Sequence, residues 1–508
     1  MKRGEYLMLP WGENQNNRRS KTKANKPATA MARQGLARLN HRQKFLSAVL
    51  GAIAFAGAVS TAQASGQTVT PEQVEDLQKQ IRVLEKKLES VRQKTFLNAS
   101  AGYMPTKGTF APPDVLVSMK GGSPRICTAD GFNCVGITGR LHFDVGGYNY
   151  TPNSAATVPQ DLQDGVNARR ARIGLVGKFA RDWFYALIGE FGGSQDGSGT
   201  INNAFVSYKG FEHTSIDLGY MKVMWSLEQA TSSNNITFME RSSAQVMAAD
   251  LGAGGQRAAV GVISYDKWWW AAAYLTGPER AYDHSLRVPY SAVGRLVFTP
   301  INTDVATFLF GGEVLYLADT GGAPGVNDIR LRERIELRID PTRVLDTHTI
   351  ANVDDVRVLS GEVGGAIGPF HGQGEYFDYS ISRSGGSDLH FKGGYVQAGY
   401  ILTGERRTYL QHDAAFGGVH PSHPFFWDMA GGIGAWEIAA RYSYMDLNDN
   451  LVFGGKQENI VVGLNWYLND NMRLMFNWVH GTVAKTNLAN QDLGAKYDAF
   501  AMRTQWAF

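Results

Sequence analysis

Long apolar runs are missing from most of this 508-residue chain. Beyond residue 64 none reaches the roughly 18 residues that a membrane-crossing helix needs, which argues against a helical membrane protein. Proline is scarce, at 17 residues, and there are only two cysteines, Cys127 and Cys134. Their even number, in a chain that reads as exported, favours a disulfide between them across the turn residues Ala129-Asp130-Gly131. As metal ligands they would need two further partners, and no nearby His or Cys supplies them, so no metal is expected. An excess of positive charge is also missing, although the formal net charge is +3. The first 64 residues hold 11 Lys and Arg against 2 Asp and Glu, which leaves 39 against 45, a net of −6, for the rest. Any preference for anions must therefore come from where charges stand, not from their total.

What is present begins with a leader. Arg42 and Lys44 precede an apolar run from Phe45 to Val59, and Ala62-Gln63-Ala64 is a small-x-small cleavage site, so Ser65 is expected to begin the mature chain. A retained membrane anchor is the alternative reading of that run. Residues 1–40 read as an over-long start, with Met31 as the expected true initiator, and 1–64 are set apart as extension and signal peptide. Between Pro71 and Lys94, Val74, Leu77, Ile81, Leu84, Leu88 and Val91 take the a and d positions of nearly three heptads. So short a helix is marginal alone and is expected to associate with copies of itself; packing within one chain is the plainer alternative. The segment 65–100 is thus read as a coiled coil, and 101–136 as a polar linker.

From residue 137 to Phe508 the period changes to two. Phe500, Met502, Thr504, Trp506 and Phe508 alternate with Ala501, Arg503, Gln505 and Ala507. Ile460 to Leu468 and Met472 to Val479 alternate likewise, on either side of the tight polar turn Asn469-Asp470-Asn471. Strands of about ten residues, short polar turns, long Gly-rich loops and aromatic strand ends are the layout of a barrel with lipid outside and water inside. About 370 residues at roughly 20–25 per strand and loop allow 14–18 strands; the number must be even, and 16 fits best. The expected fold is an all-β transmembrane barrel of 16 antiparallel strands over 137–508, preceded by the short helix.

Charges that alternate with apolar residues should face the lumen. Arg330, Arg332, Arg334 and Arg338 fall opposite Leu331, Ile335, Leu337 and Ile339, as if on one strand; Arg170, Arg172 and Lys178 fall opposite Ala171, Ile173 and Leu175. Arg140 shares a face with His142. Guanidinium groups hold their charge at any pH and fork onto oxyanions, so such a wall favours anions. Pairing with Glu190, Glu333, Glu336 or Glu375 is the bland alternative, and strict alternation points Glu333 toward lipid. The stretch from Gly219 to Arg241 alternates poorly. If it folds inward, Lys222 and Arg241 become constriction charges, with Glu228 and Glu240 as counter-charges.

Several passages together carry a resemblance: RRARIGLVGKF (169–179), SLEQATSSNNITFMERS (226–242), GEYFDYSISR (374–383), GGYVQAGYILTGERR (393–407) and YDAFAMRTQWAF (497–508). The chain resembles the phosphate-selective porins O and P from about Gly139 to Phe508. The resemblance implies a trimeric 16-stranded barrel in the outer membrane of a Gram-negative bacterium, N-terminal helices in the periplasm, and an inward-folded loop. It also implies an anion path lined by arginines with lysines at the narrowest point. By the same resemblance, the terminal Phe508 on an aromatic strand is expected to be recognised by the barrel-assembly machinery. The expected function is passive diffusion of small anions, phosphate or related oxyanions; a general, weakly selective porin is the alternative. No cofactor, catalytic constellation or nucleic-acid partner is expected. His420-Pro421-Ser422-His423 reads as a surface turn, and Trp268-Trp269-Trp270 as part of an interfacial aromatic girdle.

Overall fold

The computed structural model describes residues 115–508 apart from 155–161, 194–198, 280, 281, 284 and 427–430. The expected signal sequence and coiled-coil core lie outside the described residues. In chain order the strands are β1 (Val115–Lys120), β2 (Ser123–Thr128), β3 (Cys134–Pro152), β4 (Gly165–Phe179), β5 (Trp183–Glu190), β6 (Thr200–Phe211) and β7 (Thr214–Met221). Two short helices follow, α1 (Leu227–Ala230) and α2 (Ser243–Asp250). Then come β8 (Arg257–Tyr265), β9 (Trp269–Glu279), β10 (Tyr290–Asn302), β11 (Ala306–Asp319), β12 (Arg332–Glu333), β13 (Leu345–Asp346), β14 (Val353–Ile367), β15 (Phe370–Arg383) and β16 (Leu389–Ile401). The chain ends with β17 (Arg407–Leu410), β18 (Ala415–Val419), β19 (Ala435–Asp449), β20 (Val452–Tyr467), β21 (Met472–Ala484) and β22 (Ala495–Ala507).

Sixteen of these, β3–β11, β14–β16 and β19–β22, pair in antiparallel order, and β22 pairs back onto β3. The closed sheet leaves no edge within those sixteen strands. At the seam the Phe508 N–H and C=O exchange 3.0 Å bonds with Gly139. A Cβ on Gly139 would lie 2.3 Å from the Phe508 ring, so only glycine lets the last side chain lie down there.

The alternation has the polarity of a barrel rather than of a soluble sandwich. On β22 the apolar Phe500 is 65% exposed while Arg503 is fully buried; on β20 Ile460 faces out while Asn459 and Asn465 are buried. The outside is apolar and the inside polar, which suits hydrocarbon and water respectively. Near the end where Phe508 lies, cross-strand aromatic pairs ring the exterior. Trp436 and Trp466 stack at 4.9 Å, and Phe370 meets Tyr400 at 4.4 Å. Trp268 and Trp269 are exposed, whereas Trp270 is fully buried under the Arg295 guanidinium. No helix among the described residues is long and apolar enough to cross a membrane.

Connections at the Phe508 end are short (180–182, 212–213, 266–268, 303–305, 368–369, 468–471), with 402–434 the exception. Asn469 accepts the N–H groups of Asn471 and Met472 at 3.0 Å, which fixes the 468–471 turn. The other end carries the long loops, among them 222–256 and 320–352. The stretch read as linker departs from expectation: residues 115–128 form the β1–β2 hairpin, and β2 adds to the start of β3. Cys127 stands opposite Cys134 in that pairing, and a disulfide joins them. The apolar Val115, Leu116, Val117 and Ile126 give this stretch the strand propensity that a reading by polarity overlooked.

Candidate functional site

Three connections fold into the lumen and decide what remains open. Loop 222–256, which carries α1 and α2, crosses to the far wall and packs Trp225, Leu227, Phe238 and Met247 against lumen-facing side chains such as Phe377 and Val461. Loop 320–352 enters from the same end, and 402–434 enters from the opposite one. Inward-facing Gly364 gives the space where two of them meet the wall: a Cβ there would lie 2.9 Å from Phe416 and 3.0 Å from Leu227.

Wall arginines rivet these inserts. Arg503 on β22 is bidentate to Asp144 (2.6 and 2.7 Å) and also holds Glu240 of the loop at 2.7 Å. Arg441 on β19 reaches Glu228 at 3.4 Å, the Glu240 carbonyl at 3.0 Å and Glu336 of loop 320–352. Arg473 on β21 donates to the carbonyls of Ile236 and Thr237, and Arg407, from the opposite insert, to Asn235 and Thr237. Glu375 accepts the N–H groups of Leu227 and Glu228, the first turn of α1, at 2.7 and 3.0 Å. Glu336 does the same for Ser243 at the start of α2. Charged groups so deeply buried persist because each finds a partner.

The inserts fill the β14–β22 side, and the open space lies along β3–β8. Among the described residues, two cavities line this space. The first, of about 610 Å³, is lined by Arg140, Arg169, Arg170, Arg172, Lys222, Arg241 and Arg338 against Glu190, Glu240, Asp250 and Glu279. Seven cations face four carboxylates. The second, of about 790 Å³, has Arg125, Lys178, Lys209 and Lys222 against Asp217 and Asp413. Asn203 and Lys222 line both cavities.

Within the first cavity the cations differ in how they are held. Arg172 bonds Glu190 at 2.5 Å, and Arg169 forks onto Glu240 at 2.7 and 3.0 Å. Arg140 instead donates to the Ser233 hydroxyl at 2.6 Å, and Arg170 contacts His142 at 3.3 Å. Arg241 holds only carbonyl oxygens, those of Glu228 and Thr231 at 2.8 and 2.9 Å. Lys222, the residue that follows β7, holds the Ala230 carbonyl at 2.6 Å. Burial, then the neighbouring Arg241, push the Lys222 ammonium down to about 7. Arg140, Arg241 and Lys222 thus hydrogen-bond to oxygens without full charge, and the carboxylates near them, Glu190, Glu228 and Glu240, act on Arg140 and Arg241 only through space, so an anion in the cavity would meet these cations.

The sequence expectations meet this arrangement unevenly. Arg140, Arg170, Arg172, Lys222, Arg241 and Arg338 converge on the first cavity, and Lys178 lines the second. The run Arg330, Arg332, Arg334 and Arg338 is not a barrel-wall strand. It lies in the infolded loop, where only Arg332 and Glu333 form β12. Leu331, Ile335 and Leu337 are buried in the loop's contact with the wall and not turned to lipid. Arg330 is tied to Asp346, Arg338 lies 3.3 Å from Glu333, and Arg332 is exposed with no ion pair among the described residues. Glu333, which strict alternation would turn to lipid and which was therefore expected near a rim or a bulge, lies in the infolded loop, buried beneath Arg334, Arg338 and Arg343. Glu228 and Glu240 are counter-charges, but chiefly for Arg441, Arg503 and Arg169. Arg169 was hidden because the β3–β4 register shifts between His142 and Asp144, where β4 carries one extra residue and Arg169 joins Arg170 inside. The rivets Arg441, Arg473 and Arg503 do stand at alternating positions, and that was their available signal.

The family described as "Phosphate-selective porin O and P" matches residues 135–508. The chain is 28% identical over 446 residues to "Porin O" of Pseudomonas aeruginosa, covering 81% of this chain and 95% of that protein. It is 26% identical to an uncharacterized protein of Caulobacter vibrioides, covering 75% and 74%. Among solved structures it is similar to OmpT, an outer membrane protein of Vibrio cholerae (12% identity, 74% and 99% covered, TM-score 0.46). An anion-selective porin from Comamonas acidovorans gives 14% identity, 74% and 99% coverage and a TM-score of 0.46. A closed 16-stranded barrel and a family match over most of the chain lead to one statement: this chain belongs to the phosphate-selective porin O and P family and is an outer-membrane porin.

Proposed function

We propose that the barrel is a passive, anion-preferring pore for phosphate or related oxyanions, with its neck at Lys222 and Asn203. The observation that carries this reading is that, among the described residues, these two alone line both cavities, with seven cations facing four carboxylates on one side of them. The mechanism is diffusion down a gradient. Arg140, Arg241 and Lys222 lower the barrier to an anion, while their spread into several weak sites lets it leave again. Arg332 and Arg334 at the long-loop side, and Lys178 toward the Phe508 end, extend the positive path in both directions. The name of the family favours phosphate over other anions.

Three finer features belong to the same reading. The heptads of residues 74–91 sit in the periplasm and assemble three copies. The long loops face outward from the cell. The Phe508 strand is the signal that the assembly machinery takes up. The experiment is single-channel recording with phosphate titrated against a chloride current: a saturable block at low phosphate is the expected result. Anion current without block would leave a general anion pore.

A further inference from the structure

We propose that Glu313, Glu362 and Glu375 hold a divalent cation, calcium or magnesium, against the inner wall of the barrel. Strand register brings them together. Arg295 on β10 stands opposite Glu313 on β11, and Glu362 on β14 stands directly opposite Glu375 on β15. All three side chains are buried, and each places a carboxylate oxygen within 4.8 Å of the other two. Like charges directly opposite on neighbouring strands repel, so this pairing needs compensation.

The compensation within the protein is incomplete. Arg295 lies 2.8 Å from Glu362 and 3.9 Å from Glu313. Glu375 receives only neutral donors, the N–H groups of Leu227 and Glu228 and the Tyr395 hydroxyl at 2.6 Å. Three carboxylates and one guanidinium leave two negative charges. A second observation is independent of that balance. The Glu313 side chain has no exposure; one of its oxygens accepts the Ser360 hydroxyl, and the other, Oε1, faces the Glu362 carboxylate and stands 3.9 Å from Arg295 Nε, with no N–H or hydroxyl donor in hydrogen-bond geometry. Two buried carboxylates facing one another with no donor between them are costly. One doubly charged ion satisfies them and closes the charge balance together.

The donor set selects the ion. It is all carboxylate oxygen, which suits hard cations and not zinc or copper. Two oxygens bound to one calcium at about 2.3–2.6 Å lie at most roughly 5 Å apart, as here. The site also explains why this patch matters to the pore. Glu375 holds the start of α1 in the constriction loop, while Arg295 holds the carbonyls of Asp413 and Ala414 in the opposite insert. The ion would lock both inserts to one stretch of wall without standing in the solute path.

The test uses full-length, detergent-purified protein stripped with a chelator and then dialysed against calcium, with magnesium in parallel. Bound metal is read by elemental analysis and the unfolding midpoint by circular dichroism. About one ion per chain is expected for the wild type, with a midpoint that rises on loading. Glu313→Gln, which keeps the shape, should bind at least tenfold more weakly and show no rise. Folded wild type that takes up neither ion would overturn the proposal, as would Glu313→Gln binding as well as wild type. A midpoint that rises only on acidification, with no metal bound, would assign the compensation to protons and overturn it equally.

Discussion

Lys222 lines both lumen cavities, and on the proposed path its charge is felt by any solute that crosses. Its ammonium, held down to about 7, is charged below that pH and neutral above it. The anion-to-cation permeability ratio should therefore be largest at pH 5–6 and fall as the pH rises through 7. Lys222→Arg should flatten this profile, and Lys222→Gln should give the high-pH ratio throughout; reversal potentials measured across pH decide it. Arg503 belongs to a different class, because it touches Asp144 and Glu240 and shows no surface to the path. Arg503→Ala leaves two buried carboxylates short of a partner and should lower barrel stability by about 3–5 kcal/mol. Denaturant unfolding in detergent measures that loss. A variant as stable as wild type would show that the rivets hold little.

Among the elements, the insert 402–434 does most to narrow the barrel from the Phe508 end. Arg407 and Phe416 reach the constriction loop and its wall contacts. Replacing 407–419 by a short turn should raise single-channel conductance at least twofold and weaken anion preference; unchanged conductance would place the limiting resistance at Lys222 alone. The β1–β2 hairpin is separate from barrel closure. With Cys127→Ser and Cys134→Ser, hydrogen exchange should quicken over residues 115–128 and stay slow in β19–β22. These elements also show what could be read from the chain beforehand. Strands such as β20 and β22 were legible because lipid outside and polar groups inside enforce a strict period of two. Of the inserts, 222–256 was legible as the poorly alternating stretch from Gly219 to Arg241, whereas 320–352 was not: Leu331, Ile335 and Leu337 alternate with charged residues as a strand would, yet pack as a loop against the wall. Arg169 was lost to a single bulge, and the 402–434 insert gave only the His-Pro-rich signal of a surface turn.

For the whole molecule, net charge is a poor guide. Residues 65–508 carry −6, yet the described lumen is positive along β3–β8, because many of the acidic groups inside are spent on rivets and helix caps. The outside remains apolar, and 16 strands enclose enough room for three inserts and a path beside them. Such a pore selects by the local field of a few cations and not by total charge. The most direct test is the zero-current potential of single channels in a tenfold KCl gradient at pH 6. The expected reversal potential has the sign that marks chloride as the more permeant ion, reduced in Lys222→Gln. A reversal potential of the opposite sign, marking potassium as the more permeant ion, would contradict it.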